Sequence, residues 1–286
     1  MTSLGEAVAQ AAARLAAAGV GAPRREARLI VALAAGLEQQ TVLGWPERAL
    51  PPQAGRSLDE LVGRRCSGEP LSRLRGQREF WSMMFRLGPD TLDPRPDTET
   101  LIEATLARLP DRNRPFRVLD LGTGSGCILL ALLRELPSAR GVGLDLAPGA
   151  CAVARVNAEA MGLASRAAFV ASDWARCLRG GFDIVVSNPP YVPDGDISNL
   201  DPAVARFDPL RALAGGPDGL SAYRIIVADL PRLLGRGGLA AFEVGAGQAG
   251  AVAALLAGAG MGAISTRRDL AGIERCVLAA AAENGG

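Results

Sequence analysis

Neither histidine nor lysine occurs among the 286 residues, so all 31 basic side chains are arginine. The missing lysine looks like a bias of base composition, whereas the missing histidine has chemical consequences. It excludes Ser-His and Cys-His nucleophile pairs and every zinc site that needs an imidazole. The five cysteines (Cys66, Cys127, Cys151, Cys177 and Cys276) are scattered without a Cys-x-x-Cys pair. An odd count at such spacing argues against a disulfide framework and against a metal site, and fits a reducing compartment. Cys127 and Cys151 therefore read as small buried hydrophobes. A strong charge of either sign is also missing. The net charge is +1, without the basic surplus that gripping a nucleic-acid backbone needs. Greasy stretches such as Leu29 to Leu37 are too short to span a bilayer, and no basic stretch leads into an apolar core near Met1. The reading is a cytoplasmic protein with no metal, no membrane and no direct nucleic-acid partner.

What is present is apolar content, 49% of the chain, enough for a sizeable core. Residues 1–78 read as a small helical domain. Leu4, Val8, Ala11 and Leu15 share one stripe of a first helix that Gly19 ends, and Arg24 to Ala35 forms a second that Gly36 stops. Leu58, Leu61, Val62 and Cys66 mark another. This region holds no catalytic-looking cluster and is assigned to substrate docking. Residues 79–100 read as a linker, extended over Phe80 to Leu87 and stiffened by Pro94 and Pro96. Asp97 or Thr98 is expected to cap the helix that follows. Residues 101–286 alternate strand and helix, with strands over Arg117 to Leu121, Gly141 to Leu144, Ala167 to Ala171, Phe182 to Ser187 and Gly238 to Val244. Two more, near Gly262 to Ile264 and Cys276 to Ala279, could close the sheet, and Glu283 to Gly286 reads as frayed. That rhythm predicts an α/β, doubly wound, mostly parallel sheet, which binds ligands beyond the carboxyl ends of its strands.

Four segments at such ends carry chemistry. In Asp120-Leu121-Gly122-Thr123-Gly124-Ser125-Gly126 the three alternate glycines let the backbone turn sharply and approach a ligand closely. A dinucleotide fingerprint starting at Gly122 would need glycine at Cys127, and one starting at Gly124 would need it at Leu129. A P-loop would need a Gly-Lys ending. The spacing suits a nucleoside with an amino-acid tail and no pyrophosphate. Asp145, at the end of the next strand, can accept both hydroxyls of a ribose. In Ser172-Asp173-Trp174 an acid can reach an adenine amino group while Trp174 covers the ring face. In Asn188-Pro189-Pro190-Tyr191 the prolines remove N–H donors, so the turn offers acceptors. The Asn188 side-chain oxygen and the Pro189 carbonyl can each take one hydrogen of a substrate –NH2, and Tyr191 can stack on a planar group.

These segments, in this order, resemble the class I methyltransferases that act on exocyclic or amide nitrogens. Glu69-Pro70-Leu71, Gly76-Gln77-Arg78-Glu79-Phe80-Trp81, Arg95-Pro96-Asp97-Thr98-Glu99, Arg206-Phe207-Asp208-Pro209 and Asp218-Gly219-Leu220 narrow the likeness. Together they resemble the peptide chain release factor N5-glutamine methyltransferases over nearly the whole chain. The resemblance implies a seven-stranded Rossmann-like domain after the helical one, S-adenosyl-L-methionine as cofactor, and class I release factors as protein substrates. It implies a donor site at Gly122, Thr123, Gly124, Ser125, Gly126, Asp145, Trp174 and Asn188. The substrate site falls on Asn188, Pro189, Pro190 and Tyr191, with Asn188, Pro189 and Tyr191 catalytic. Asp93, Arg73, Arg75 and the Met83-Met84 pair depart from the family's pattern, all before the catalytic domain. The sister enzymes that methylate a ribosomal-protein glutamine, and the DNA or RNA exocyclic-amine methyltransferases, share the four-residue string. Arg95 to Glu99 and the near-neutral charge favour the release-factor type.

Overall fold

The computed structural model describes residues 2–282, so the expected fraying of Glu283 to Gly286 lies outside the described residues. Two compact units divide the chain, one formed by residues up to Gly76 together with Pro202–Phe207, the other by Gln77–Asp201 and Asp208 onward.

The first unit is helical. Helix Leu4–Ala17 starts at a reciprocal cap, in which Glu6 N–H donates to Ser3 Oγ (3.2 Å) and Ser3 N–H donates to Glu6 Oε2 (2.8 Å). Helix Pro23–Ala35 has proline in its first turn and ends at Gly36, whose φ of 64° suits a residue without a Cβ. Helices Gln39–Gly44, Ala54–Cys66 and Leu71–Arg75 follow. Leu4, Leu15, Ile30, Val31 and Val62 are fully buried between them, each stabilising the unit by about 1.5–3 kcal/mol. Arg65 and Glu26 form a half-buried ion pair at 2.5 Å.

In the second unit, strands β1 (Gln77–Phe80) and β2 (Met83–Arg86) pair antiparallel. The expected single extended run from Phe80 is thus a hairpin. Its turn places Trp81 (φ 52°) and Ser82 (φ 54°) in the left-handed region with neither glycine nor asparagine to announce it. Tertiary bonds hold it there: Trp81 N–H donates to Glu99 Oε1 (2.9 Å) and its indole Nε1–H to Glu135 Oε1 (3.0 Å). Thr98 occupies the N-cap of helix Glu99–Ala107, as expected, but its side chain makes no capping bond. Asp97 faces Arg275 (3.5 Å) and the Thr98 hydroxyl faces Asn188.

Seven further strands make one sheet: β3 (Arg117–Leu121), β4 (Arg140–Asp145), β5 (Ala167–Ala171), β6 (Phe182–Ser187), β7 (Leu234–Glu243), β8 (Gly262–Arg268) and β9 (Glu274–Ala280). Their order is β5-β4-β3-β6-β7-β9-β8, with β3 to β7 parallel and β9 antiparallel to both neighbours. Helix Cys127–Glu135 buries Ile128, Leu129 and Leu132 on one face, and helix Ser221–Leu233 buries Tyr223, Ile226 and Leu230 on the other. Because β4 lies on one side of β3 and β6 on the other, the winding reverses at β3, which opens a crevice beyond its carboxyl end.

Candidate active site

The register of the sheet sets the site. Leu121 pairs with Leu144 and with Ser187, Asp145 with Ala171, and Ser187 with Phe242. Gly122, Asp145, Ala171, Asn188 and Glu243 therefore stand in one row at the strand ends, with Ser172 one residue beyond it. A cleft of about 990 Å³, open solvent included, lies over the row; Gly122 to Ser125, Asp145, Trp174, Asn188 and Pro190 line it.

At the β3 end, Gly122, Gly124 and Gly126 have φ of 75°, 54° and 81°, a region that costs other residues about 1–2 kcal/mol each. The Gly122 and Thr123 N–H groups both donate to the Leu144 carbonyl, at 2.9 and 2.8 Å, and tie the loop to β4. Gly126 opens helix Cys127–Glu135, and a Cβ there would lie 3.1 Å from the Ala154 Cβ. Nothing stands within 4 Å of where a Gly124 Cβ would be, so the loop walls an open cradle. Below it, Thr123 Oγ1 donates to Asp120 Oδ2 at 2.7 Å. Burial pushes the Asp120 carboxyl up to about 7. The Ser125 hydroxyl is buried beside the Cys127 thiol.

Asp145 accepts from Gly124 N–H (Oδ2, 2.9 Å) and from Ala147 N–H (Oδ1, 2.9 Å), so the glycine loop and the acid form one rigid assembly. Each oxygen retains a lone pair for a further donor. Burial raises the Asp145 carboxyl above its ordinary range. Trp174 borders the same cleft with φ at 50°, strain of the kind that concentrates where a side chain is held for a ligand. An open cradle, a carboxylate with spare acceptor capacity and an indole wall fit a nucleoside with an amino-acid tail.

At the β6 end, Ser187 Oγ donates to the Leu121 carbonyl (2.6 Å), holding the exit of β6 against β3. Beyond the motif, Val192 N–H donates to Leu213 O (2.9 Å), and Gln248 Nε2 donates to the Tyr191 carbonyl (2.9 Å). The turn is fixed at both ends. Asn188 Nδ2 donates to Thr98 Oγ1 at 3.4 Å. Pro190 lines the cleft, Pro189 is buried, and the Tyr191 ring packs against the core with its hydroxyl 3.5 Å from Glu243 Oε1. Burial raises the Tyr191 phenol well above its ordinary value, so it stays protonated.

Three contributors escaped the sequence reading. Arg95 borders the cleft and is pinned at 2.5 Å by Asp208, which also accepts from Asp93 N–H (3.3 Å). Thr98, at the N-cap, turns its hydroxyl to Asn188 instead of to the helix. Glu243 ends a buried strand as Asp145 does, the one sequence signal that could have found it. Burial pushes its carboxyl up to about 7, against hydrogen bonding from Thr98 and the charge of Arg275, which lower it.

Two family models match the chain, a PrmC N-terminal domain over residues 6–76 and a methyltransferase small domain over residues 97–203. A release factor glutamine methyltransferase of Rhodospirillum rubrum is 52% identical over 276 residues, covering 96% of this chain and 84% of that protein. One of Moorella thermoacetica is 41% identical, covering 97% and 98%. The solved catalytic domain of hMettl16, in complex with the MAT2A 3'UTR hairpin 6, superposes with a TM-score of 0.59 over 79% of this chain and 84% of that one. At 16% identity that likeness shows the fold alone. A methyltransferase sheet, a strand-end row with its glycine cradle, and relatives matching almost end to end agree: the chain belongs to the release factor glutamine methyltransferase family.

Proposed function

We propose that this protein methylates the side-chain amide nitrogen (N5) of the glutamine in the Gly-Gly-Gln motif of class I peptide chain release factors, using S-adenosyl-L-methionine. The observation that carries the reading is the row of strand ends, which sets an open nucleoside cradle beside an acceptor-rich turn. When bound, the cofactor supplies an electrophilic methyl group. Gly122 to Gly126 hold its amino-acid end, Asp145 its ribose and Trp174 its ring.

The substrate amide is a poor nucleophile, because its lone pair is delocalised into the carbonyl. Among the described residues at the Asn188 end, no group serves as a base strong enough to deprotonate it first; the Glu243 carboxyl neighbours Asn188 but does not line the cleft, and burial raises it only to about 7. Orientation is the available tool. Asn188 Oδ1 and the Pro189 carbonyl each accept one hydrogen of the –NH2 group, which fixes its plane and turns the lone pair toward the methyl donor. Proximity and orientation of this kind lower barriers by up to about 7–11 kcal/mol. As the new N–C bond forms and the donor's methyl–sulfur bond breaks, S-adenosyl-L-homocysteine is left as the product thioether, and the amide proton becomes acidic and leaves to solvent. Tyr191 backs the turn from the core side. The helical unit, with Leu43 and Trp45 exposed, docks the protein substrate.

The test is transfer of label from S-adenosyl-L-methionine to a release factor, with and without its Gly-Gly-Gln glutamine replaced. Label on the wild-type factor alone is expected. Label that persists on the replaced factor overturns the substrate assignment.

A further inference from the structure

Asn188 must present its amide the right way round. For Oδ1 to meet the substrate nitrogen, Nδ2 must turn away from the cleft. The two ends of a primary amide have nearly the same shape, so packing cannot choose between them and hydrogen bonding must. Nδ2 faces Thr98 Oγ1 at 3.4 Å. A hydroxyl can donate or accept, so Thr98 alone leaves the choice open. Beside it stands the Glu243 carboxyl, 2% exposed, with Thr98 and Asn188 as hydrogen-bonding neighbours and the Tyr191 hydroxyl 3.5 Å from Oε1. An ionised carboxyl only accepts. It draws the Thr98 proton toward itself, which leaves the Thr98 lone pairs, and any remaining carboxylate lone pair, able to receive only the NH2 end of Asn188.

We infer that Glu243 is a positioning residue for methyl transfer: an acceptor-only group beside Thr98 and Asn188 that selects the amide rotamer with Oδ1 toward the substrate. The inference rests on the amide-transfer reading above for its role in turnover, but the rotamer itself is observable without substrate. Several groups face the carboxyl. Arg275 and Cys276 lie on β9, Asp97 in the turn before helix Glu99–Ala107, Tyr191 in the motif, Tyr223 on helix Ser221–Leu233 and Cys127 on helix Cys127–Glu135. Arg275 favours the ionised form; Asp97 and burial favour the neutral one. Protonation gives Glu243 a hydrogen to donate, and the rule that selects the rotamer is lost. Turnover therefore rises with pH as Glu243 ionises, near pH 7.

The experiment measures kcat, KM and pH profile for Glu243→Gln, an isosteric change that adds a donor. We expect kcat to fall at least about tenfold, with KM and the donor Kd nearly unchanged and the acid limb abolished. Wild-type kcat with an intact acid limb overturns the inference. Should Glu243→Gln fail to fold, Thr98→Val and Thr98→Ser decide: the serine, which keeps the hydroxyl, stays near wild type while the valine loses turnover. Equal activity of the two overturns it. A third readout needs no substrate. The Asn188 side-chain NH2 resonances, assigned by their disappearance in Asn188→Ala, are expected to titrate near pH 7 in the wild type. Their indifference to pH sinks the positioning role; their titration in a protein that leaves release factor unmodified sinks the proposed substrate instead.

Discussion

The two halves of the strand-end row solve opposite problems. The β3–β4 half is built from glycines and backbone N–H groups, and its carboxylate accepts from two of those groups. The β6–β7 half is built from prolines, which remove N–H groups, and from Asn188, Tyr191 and Glu243, all turned on one another. The first half makes room and holds a cofactor by its shape. The second makes almost no room and holds a nitrogen by its acceptors. Binding of the donor and aiming of the acceptor are thereby separable, which a single mixed site would not allow.

The largest test of that separation is Asn188→Ala. Loss of one preorganised polar group at a reacting centre costs on the order of 10²–10³ in kcat, and the donor Kd, measured by calorimetry, should stay within about twofold. Joint loss of both would merge the halves. Gly124→Val is the mirror experiment. The branched side chain fills the cradle and must adopt φ of 54°, so donor affinity should fall by at least about tenfold, with about 1–2 kcal/mol lost from stability. If donor affinity survives, the loop is only a turn.

Acidity gives the third test, and it touches both halves. Asp120 and Glu243 each hold a proton more tightly folded than unfolded, at about 7 against ordinary values near 4. Their neutral forms therefore contribute stability that is fully present below the unfolded value and fades as pH rises through about 7. Melting temperature should fall between about pH 5 and 8, and Asp120→Asn combined with Glu243→Gln should flatten the slope. An unchanged slope in the double variant refutes the assignment. The smallest effect is expected at the cleft rim, where Arg211 and Asp90 pair at 2.6 Å. With Arg211 half exposed, Arg211→Ala should change stability by no more than about 1 kcal/mol, read by denaturant unfolding. A greater loss would give the rim a structural part that its exposure argues against.

Much of this was visible in the residues. β3 and β6 announce themselves because burial on both faces favours apolar runs, and they and the edge strand β5 begin and end where the sequence places them. The loop at Gly122 to Gly126 and the turn at Asn188 were legible because their chemistry depends on residue types with special backbones. What escaped depends on distant partners. The Trp81–Ser82 turn is enforced by Glu99 and Glu135, not by local propensity. β8 runs on through Thr266, Arg267 and Arg268 because an edge strand tolerates polar side chains. Pro202–Phe207 joins the helical unit across more than a hundred residues. Glu243 lies within an expected strand, but its neighbours Thr98, Asn188 and Arg275 come from distant segments.

Thr98 lends the molecule a property that matters to anyone who would redesign it. The segment Arg95 to Glu99 borders the cleft through Arg95, is stapled to Asp208, and supplies the hydroxyl that meets Asn188. Transplanting the four-residue motif into a related scaffold would carry the nitrogen-holding side chain without the group that orients it. A graft intended to retarget the enzyme should move as a set, linker, motif and the acid at the end of β7 together; a motif transferred alone should yield a well-folded protein with a misaligned warhead.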